Sequence, residues 1–321
     1  MNNYIIPDLY CPFPSQVNQH VDVLEEYALE WALRFNLLKN ELIYQRLSKS
    51  KFFLLAAGAY PYSQIEELKI ANDLLNWVFI WDDQCDLSDL GKQPEVLKVF
   101  HQRFLEILNG SELTKKDTPL SYALGDLRQR MLQKVSKEWF LHLVHGFEEW
   151  FCGYEQEANI RAQGIIPDVY TYMKLRRASV GVNIFLTLTE MCHQLVIKDF
   201  LRNHNIMEKL KLMTGHIIAW SNDIFSASRE MASGDVHNLV IVLNYQQQIS
   251  WQQAIDNVAK MHDKEVKKMI RLEASIPSFG EEVDTQISNY ILGCHTWIRS
   301  NLDWYSHSKR YQNTESLELV A

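Results

Sequence analysis

The segment Asn222-Asp223-Ile224-Phe225-Ser226-Ala227-Ser228-Arg229-Glu230 follows the apolar run His216–Trp220 with no glycine or proline between them. This pattern predicts one continuous helix. Asn222, Ser226 and Glu230 are then spaced at i, i+4 and i+8, so their side chains project from one face. An amide oxygen, a hydroxyl and a carboxylate are hard ligands of the kind that suit Mg2+ or Mn2+. The segment therefore predicts either a cation-binding face or a solvated polar stripe on an amphipathic helix.

A second acidic segment, Asp82-Asp83-Gln84-Cys85-Asp86, closes the most apolar run of the chain, Leu74–Trp81. Asp82 and Asp86 lie one helical turn apart, where like charges repel each other. The carboxylates would also be costly to desolvate without a cation. The negative end of the helix dipole adds to that cost. Because a metal ion removes each of these costs, the segment favours a metal site over an exposed acidic helix end.

Together the two segments resemble the DDxxD and NDxxSxxxE motifs of class I terpene synthases, and most of all the microbial sesquiterpene cyclases. The resemblance covers nearly the whole chain and includes Cys11–Pro14, residues 234–240 and the pair Arg310–Tyr311. It implies an all-α fold, a helical bundle around a central cavity. It also implies a prenyl diphosphate substrate and three Mg2+ ions bound between the two motif helices.

The resemblance assigns the metal ligands and their neighbour on the first motif. By position, the ligands are Asp82, Asp86, Asn222, Ser226 and Glu230. Asp83 is rotated about 100° from Asp82 around the helix. It matches an acid that pairs with the late arginine, here Arg310, so we expect diphosphate and Mg2+ to draw Arg310 toward Asp83.

Four residues match family positions that contact the diphosphate. Arg176 lies where relatives carry a diphosphate-sensing arginine. Arg229, Arg310 and Tyr311 match positions that bind the diphosphate or close over the substrate. Arg177 is expected to face elsewhere on the same helix.

A kink is expected at Ser179-Val180-Gly181, because glycine is a weak helix former. Val180 stands where relatives often have a glycine whose carbonyl assists ionisation, and Ser179 stands where they often have an aspartate. The aromatic candidates for the cavity wall are Phe79, Trp304 and either Phe52 or Phe53, with Phe53 taken as the substrate-binding residue.

The last helix carries Trp297, Trp304 and Tyr311 at intervals of seven residues, which places them on one face if the helix reaches Tyr311. We expect Trp297 to be ordinary core and Trp304 to line the pocket. The rings would then form a stripe that ends beside Arg310.

Composition limits the other functions. The net charge of −8 argues against a nucleic-acid partner. Five scattered cysteines without a CxxC pair indicate reduced thiols, and no signal peptide is evident, so we expect a cytoplasmic protein. No apolar run approaches the ~20 residues that span a bilayer.

The chain shows no sustained period-2 alternation, no hairpin signal and no glycine-rich phosphate loop. We therefore expect one domain over residues 1–321, with an extended strap at 1–18 and a frayed tail at 312–321. Expected helices cover about 21–38, 52–60, 63–86, 94–108, 120–160 (as two helices or one kinked helix), 168–178, 206–231, 251–272 and 281–305.

The leading functional hypothesis is Mg2+-dependent cyclisation of farnesyl diphosphate to a sesquiterpene with release of diphosphate. A diterpene cyclase acting on geranylgeranyl diphosphate is the nearest alternative. A chain-elongating prenyltransferase usually has two DDxxD motifs, whereas the second motif here is Asn/Ser/Glu. A non-catalytic helical isoprenoid-binding protein is the alternative from another class, and turnover separates it from the enzymes.

Overall fold

The computed structural model describes residues 4–86 and 88–311, and every regular element in this part of the chain is helical. The α-helices are α1 (Val21–Arg34), α2 (Glu41–Ser50), α3 (Phe52–Ala59), α4 (Ile65–Asp86), α5 (Pro94–Leu108), α6 (Pro119–Leu132), α7 (Lys137–Gln163), α8 (Val169–Ser179), α9 (Val182–Cys192), α10 (Asp199–Arg202), α11 (Asn205–Ser233), α12 (Leu239–Gln247), α13 (Trp251–Glu273) and α14 (Glu281–His307). A short 3-10 helix, Asp89–Lys92, joins α4 to α5.

Local signals in the sequence explain where the helices that carry the motifs begin and end. Asp168 caps α8 by accepting a hydrogen bond from the Thr171 amide. α11 ends at Gly234, which has a φ of +73° and so terminates the helix at low cost in strain. α13 begins with a capping box between Ser250 and Gln253. The motif helix is therefore confirmed as continuous through the whole Asn222–Glu230 segment.

The hydrophobic core surrounds α4, which packs against α1, α3, α6 and α9. The second motif helix, α11, packs against α8, α9, α12, α13 and α14. α14 also packs on α3, so it closes the gap between the two motif helices. This arrangement leaves a central cavity with α4 on one wall and α11 on another.

The structure corrects one expectation about the helices and decides two that were open. The helix expected over 21–38 ends at Arg34, and a separate polar helix, α2, follows it. The 120–160 region forms two helices, α6 and α7. α14 ends at His307 because Ser308 turns to extended backbone, so Tyr311 is not part of that helix. The kink is confirmed: α8 ends at Ser179 and α9 begins at Val182.

Residues 4–18 form the expected extended strap. The backbone amide of Ile5 donates to Gln252 Oε1 at 2.9 Å, and that of Tyr10 donates to Asp263 Oδ1 at 2.8 Å. The first part of the strap, residues 5–10, therefore runs along α13, and Ser15 farther on donates to Asp303 of α14. The tail expected at 312–321 lies outside the described residues. None of the described helices combines the length and the hydropathy needed to cross a membrane.

One buried ion pair ties α4 to α6. Arg130 Nη1 lies 2.7 Å from Asp73 Oδ2, and Tyr27 donates its hydroxyl to the same oxygen at 2.8 Å. Burial raises the pKa of Asp73 to about 7, although Arg130 and Tyr27 oppose the rise. A carboxylate without its arginine would be strongly unfavourable in this position.

We predict that Arg130→Ala lowers the free energy of unfolding by about 3 kcal/mol at pH 8, the low end for breaking a buried pair. A raised pKa means that Asp73 takes up a proton as the pH falls through 7, so the loss should shrink at pH 5.5. Urea unfolding at both pH values measures it. Arg34→Ala, which removes an exposed partner of Asp126, serves as the control and should change stability by less than about 1 kcal/mol. An Arg130→Ala loss as small as that of the control would contradict the prediction.

Candidate active site

The central cavity has a volume of about 140 Å³ and brings together most of the sequence-predicted site residues. Its lining includes Asp82 and Asp86 of α4, Asn222, Arg229 and Glu230 of α11, and Arg176, Val180, Phe79, Trp304 and Tyr311. Two residues predicted from the motifs stand just behind it. Ser226 is fully buried, and Asp83 is turned toward α2 and the C-terminal segment. The family resemblance therefore led us to expect this convergence of the two motif helices.

On the α4 wall, the three aspartates have different partners. Asp82 accepts hydrogen bonds from Tyr154 at 3.2 Å and from Arg310 at 3.0 Å. Asp83 receives two bonds from Arg46, at 3.0 and 2.7 Å, and an ion pair with Arg310 at 2.8 Å. The charges of Arg310 and Arg46 outweigh burial and lower the pKa of Asp83. Asp83 is thus a fixed anchor, while Asp82 faces the cavity.

Asp86 carries the clearest electrostatic signal for a cation. Partial burial and the charge of Asp82 raise its pKa, and Arg229 and Arg161 offset only part of that rise. The nearest cation is Arg229, whose Nη2 lies 3.6 Å from Asp86 Oδ2. A carboxylate held against a second carboxylate is stabilised by a bound divalent ion.

On the α11 wall, the predicted oxygens have polar partners. Asn222 Oδ1 accepts a bond from Arg176 Nη2 at 2.8 Å, and its Nδ2 donates to the Tyr311 hydroxyl at 3.0 Å. Ser226 Oγ and Glu230 Oε2 both accept from the Nδ2 of Asn238, at 3.3 and 2.8 Å. The three candidate ligand side chains share one helix face, as the i, i+4, i+8 spacing requires.

Three arginines surround the acidic groups. Arg310, whose side chain is only 1% exposed, bridges Asp82 and Asp83. Arg229 Nη2 lies 3.6 Å from both Asp86 Oδ2 and Glu230 Oε1, and its guanidinium stands 5.3 Å from the centre of the Tyr311 ring. Arg310 Nη1 lies 2.8 Å from Asp83 Oδ1, so the two expected partners stand together. That diphosphate and Mg2+ draw Arg310 toward Asp83 stays a prediction.

Arg176 is the third arginine, and its neighbour Arg177 faces away as expected. Arg176 Nη2 is 3.1 Å from Asp223 Oδ1 and 2.8 Å from Asn222 Oδ1. Arg177 is more than half exposed and lies 3.8 Å from Glu208. Of these two neighbours, Arg176 reaches the cavity and Arg177 does not.

The kink after α8 rests on a buried polar network. Ser179 donates its hydroxyl to Glu157, and the Ser179 carbonyl accepts from Trp150 Nε1 at 3.1 Å. Glu157 also pairs with His237 at 2.7 Å and with Arg161 at 3.1 Å. Burial alone would raise the pKa of Glu157, but its basic neighbours outweigh it and lower the value to about 2. Ser179 thus anchors the corner that places Val180 in the cavity wall.

Aromatic rings form the apolar part of the wall. Phe79 stacks on Phe52 with ring centres 4.0 Å apart and lies 5.8 Å from Trp304. Trp304 also donates its Nε1 to the Ser50 carbonyl at 2.7 Å, which fixes the ring. Trp297, expected as ordinary core, lines the cavity together with Phe185.

Phe53 does not line this cavity. It borders a small separate cleft near Ala28 and Leu47. Phe52 is the ring of the pair that supports the cavity wall, through Phe79 and Trp304. Phe53 is therefore not a residue of this wall, contrary to expectation, and Phe52, which borders the same separate cleft, contributes only by packing on Phe79 and Trp304.

Several functional candidates were missed from the sequence. They are Arg46, Trp150, Tyr154, Glu157, Arg161, Phe185, Asn238 and Asn301. On α7, the series Trp150, Tyr154, Glu157 and Arg161 follows helical spacing and continues an apolar face into charged residues. That break in the pattern was an available signal for buried charges. Arg46 and Asn301 carried no comparable signal.

The types of side chain in the candidate site suit a hard divalent cation, although their acidic groups alone do not form a metal site. Among the described residues, no three His, Cys, Asp or Glu side chains stand close enough to hold a metal by themselves. Two of the five candidate ligands, however, are an amide and a hydroxyl. Oxygen-only ligands divided between two helices suit Mg2+ or Mn2+ shared with substrate phosphates, as Mg2+ keeps few protein ligands.

A larger cleft of about 320 Å³ lies between α7, α9, α11 and α14. Its charged side chains pair with one another: Arg202 binds Glu190 at 2.5 and 2.7 Å, and Lys211 binds Glu208 at 3.0 Å. It contains neither motif, so the smaller aromatic cavity is the better candidate for the active site.

The chain is similar to known proteins over nearly its whole length. The family model described as terpene synthase family 2, C-terminal metal binding, matches residues 73–268. A germacrene A synthase of Nostoc punctiforme is 60% identical over 320 residues, covering 100% of this chain and 99% of that protein. A (+)-T-muurolol synthase of Roseiflexus castenholzii, described as (2E,6E)-farnesyl diphosphate cyclizing, is 34% identical over 313 residues, with coverages of 97% and 96%. The crystal structure of an a-eudesmol synthase has the same fold, with a TM-score of 0.85 at 19% identity over 94% of this chain and 99% of that one.

The contacts of Asp83 predict how the C-terminal segment is held. Asp83→Ala should free Arg310 from one of its two carboxylates and Arg46 from its only described acidic partner. Amides of residues 308–311 should then exchange faster with deuterium, including Lys309, whose N–H donates to the Lys49 carbonyl at 3.1 Å. Hydrogen exchange followed by mass spectrometry measures this.

Asp303→Ala is the matched control, because Asp303 pairs with Arg299 and Ser15 on the outer side of α14. Its exchange in 308–311 should equal that of the wild type. Equal protection in Asp83→Ala and wild type would show that Asp83 does not hold the segment.

Proposed function

Because the chain belongs to the terpene synthase family, we propose that it is a sesquiterpene cyclase that converts farnesyl diphosphate into a cyclic C15 product and releases diphosphate. One observation carries the proposal: α4 and α11 present acidic and amide oxygens, with three arginines beside them, at one end of a cavity whose other walls are aromatic and aliphatic. The T-muurolol synthase is described as cyclising farnesyl diphosphate, which supports this substrate. The similar germacrene A synthase makes germacrene A the first product to look for.

We propose that Asp82, Asp86, Asn222, Ser226 and Glu230 hold divalent cations, three Mg2+ ions by family resemblance. All five lie inside the region that matches the metal-binding family model. When bound, the cations would supply Lewis-acid stabilisation of charge on the departing diphosphate. Oxygen ligands on both walls would also position the diphosphate between them.

The arginines supply the protein's own share of charge stabilisation. Arg176, Arg229 and Arg310 place fixed guanidinium groups around the acidic motifs, and Tyr311 adds a hydroxyl. As the bond between the C15 chain and the diphosphate breaks, these donors stabilise the negative charge on the leaving group. Because they are already oriented by Asp223, Asp86 and Asp83, little reorganisation is required at that moment.

The rest of the cavity suits the carbocation that ionisation leaves behind. Phe79, Trp304 and Trp297 present aromatic faces, and a desolvated cation over such a face gains about 2 kcal/mol or more. The apolar wall also excludes water, which would quench the cation early. Val180 places the turn between α8 and α9 at this wall, so its backbone stands close to the reacting chain.

The cavity volume favours the shorter substrate. At about 140 Å³ the cavity is below the ~300 Å³ at the lower end of ligand pockets, so it must widen to admit a C15 chain. A C20 chain would require a larger rearrangement of the same aromatic wall. Geranylgeranyl diphosphate is therefore the disfavoured substrate. A protein that only binds isoprenoids would differ from a cyclase by showing no turnover.

We predict that kcat/KM is highest for farnesyl diphosphate among geranyl, farnesyl and geranylgeranyl diphosphates, and that chelation of divalent cations abolishes diphosphate release. Gas chromatography of the organic extract and a diphosphate assay measure the two quantities. A preference for the C20 substrate would reject the substrate assignment, and full activity in excess chelator would reject the metal.

Glu230→Gln should lower kcat/KM by about 10²–10³-fold, because it removes an anionic ligand while retaining the shape of the side chain. Glu208→Gln is the control on the same helix. Glu208 is nearly half exposed and pairs only at the surface with Lys211 and Arg177. Steady-state kinetics with farnesyl diphosphate measure kcat/KM for both variants. Equal kcat/KM in Glu230→Gln and Glu208→Gln would contradict a role for Glu230 in the site.

The aromatic wall generates a further prediction. Trp304→Leu should change the ratio of hydrocarbon products, because Trp304 lines the cavity, and should also lower the melting temperature. Trp31→Leu is the control: Trp31 is 1% exposed but does not line the cavity, so stability should fall while product ratios stay the same. Wild-type product ratios in a folded Trp304→Leu enzyme would contradict this role.

A further inference from the structure

Asn238 lies behind the candidate metal-binding face of α11. Its side chain is fully buried, and its Nδ2 donates to Glu230 Oε2 at 2.8 Å and to Ser226 Oγ at 3.3 Å. The same nitrogen also donates to the Asp223 backbone carbonyl at 2.8 Å. The two hydrogens of this amide are therefore shared among three acceptors: two candidate ligands and the α11 backbone one turn before Ser226.

The other end of the Asn238 side chain is equally fixed. Its Oδ1 accepts the backbone amides of Val240 at 2.8 Å and Ile241 at 3.4 Å, which makes Asn238 the N-cap of α12. Since both ends of the amide are used, the direction in which Nδ2 points is set by the position of α12.

The loop that carries Asn238 is held from the opposite side by α7. Asp235 accepts the amides of Val236 and His237, at 2.7 and 2.9 Å, and pairs with Arg161 at 3.2 Å. His237 pairs with the buried Glu157 at 2.7 Å. The loop between α11 and α12 is thus fixed to the cavity wall, and Asn238 cannot shift without breaking these contacts.

The chemistry of an amide suits this position. A neutral N–H donor fixes the rotamers of Ser226 and Glu230 but leaves the negative charge of Glu230 available to a cation. A lysine or arginine would neutralise that charge, and an aspartate could not donate. Groups that orient metal ligands in this way typically change metal affinity by about 10–100-fold when they are removed.

We propose that Asn238 is a positioning residue of the metal site: it holds the oxygens of Ser226 and Glu230 in the orientation that binds a divalent cation. The proposal rests on the proposed function of these two residues as ligands. It assigns the loop after α11 a part in metal binding in addition to its part in the fold.

The test is the affinity for Mn2+, measured by electron paramagnetic resonance in the presence of inorganic diphosphate. Asn238→Ser keeps a side-chain oxygen that can accept the α12 amides, but its side chain is too short to replace the Nδ2 donor to Glu230. Asn238→Ala removes both the cap acceptor and the donor. Both variants should bind Mn2+ about 10–100-fold more weakly than wild type. Only Asn238→Ala should show the added loss in melting temperature from the missing cap, and Asn238→Ser alone carries the test if Asn238→Ala does not fold.

Activity gives a second readout. For Asn238→Ser, the Mg2+ concentration at half-maximal rate should rise about 10-fold or more, while kcat at saturating Mg2+ stays near the wild-type value. A purely structural defect would lower kcat at every Mg2+ concentration. Asn244→Ala is the matched control, since Asn244 lies on α12 and donates to the Ile249 carbonyl at 2.7 Å, away from the site.

The outcomes separate this proposal from the one it rests on. Wild-type Mn2+ affinity in folded Asn238→Ser, together with weakened binding in Glu230→Gln, would overturn the role of Asn238 alone. Wild-type affinity in Glu230→Gln would overturn the metal site itself, and the role of Asn238 with it. Weakened binding in both, with Asn244→Ala unchanged, supports the proposal.

Discussion

The site depends on the hydrogen bonds and the ion pair that the buried carboxylate of Asp223 makes. It is fully buried and accepts from the Tyr172 hydroxyl, from Arg176 at 3.1 Å and from the Leu239 amide at 2.8 Å. Burial raises the pKa of Asp223, and the positive charge of Arg176 is the largest force opposing the rise. Asp223 therefore joins α8, α11 and the start of α12, and it sets where Arg176 and Asn222 stand.

A second carboxylate performs the same task on the other wall. Asp83 lies between Arg46 and Arg310, and so joins α4 to α2 and to the segment after α14. The two anchors leave their neighbours, Asp82 and Asn222, facing the cavity. In both acidic motifs, one residue faces the cavity as a proposed metal ligand, and the adjacent residue holds an arginine. This division of roles explains why each motif needs two consecutive polar residues at the end or middle of a buried helix.

The sequence predicted the features that depend on local spacing. The motif helices and the glycine kink follow from period and residue type, whereas the convergence of the two acidic motifs was expected only from the family resemblance. Contacts between distant segments could not be predicted this way: nothing near Arg46 indicates that it binds Asp83, 37 residues later in the chain. Phe53 was misplaced because α3 is apolar throughout, so no polar residue marks its outer face. Tyr311 reaches the cavity although α14 stops at His307, since the backbone of Lys309 binds α2 instead of continuing the helix.

The central claim is that α4 and α11 together form one cation and diphosphate site. A crystal structure of the protein with Mn2+ and inorganic diphosphate, with anomalous data to locate manganese, tests it most directly. The account predicts manganese peaks within coordination distance, about 2.0–2.3 Å, of Asp82 and Asp86 on one side and of Asn222, Ser226 and Glu230 on the other. The diphosphate should lie between them, in contact with Arg176 and Arg310. Manganese bound away from α11, or diphosphate bound outside this cavity, would contradict the account.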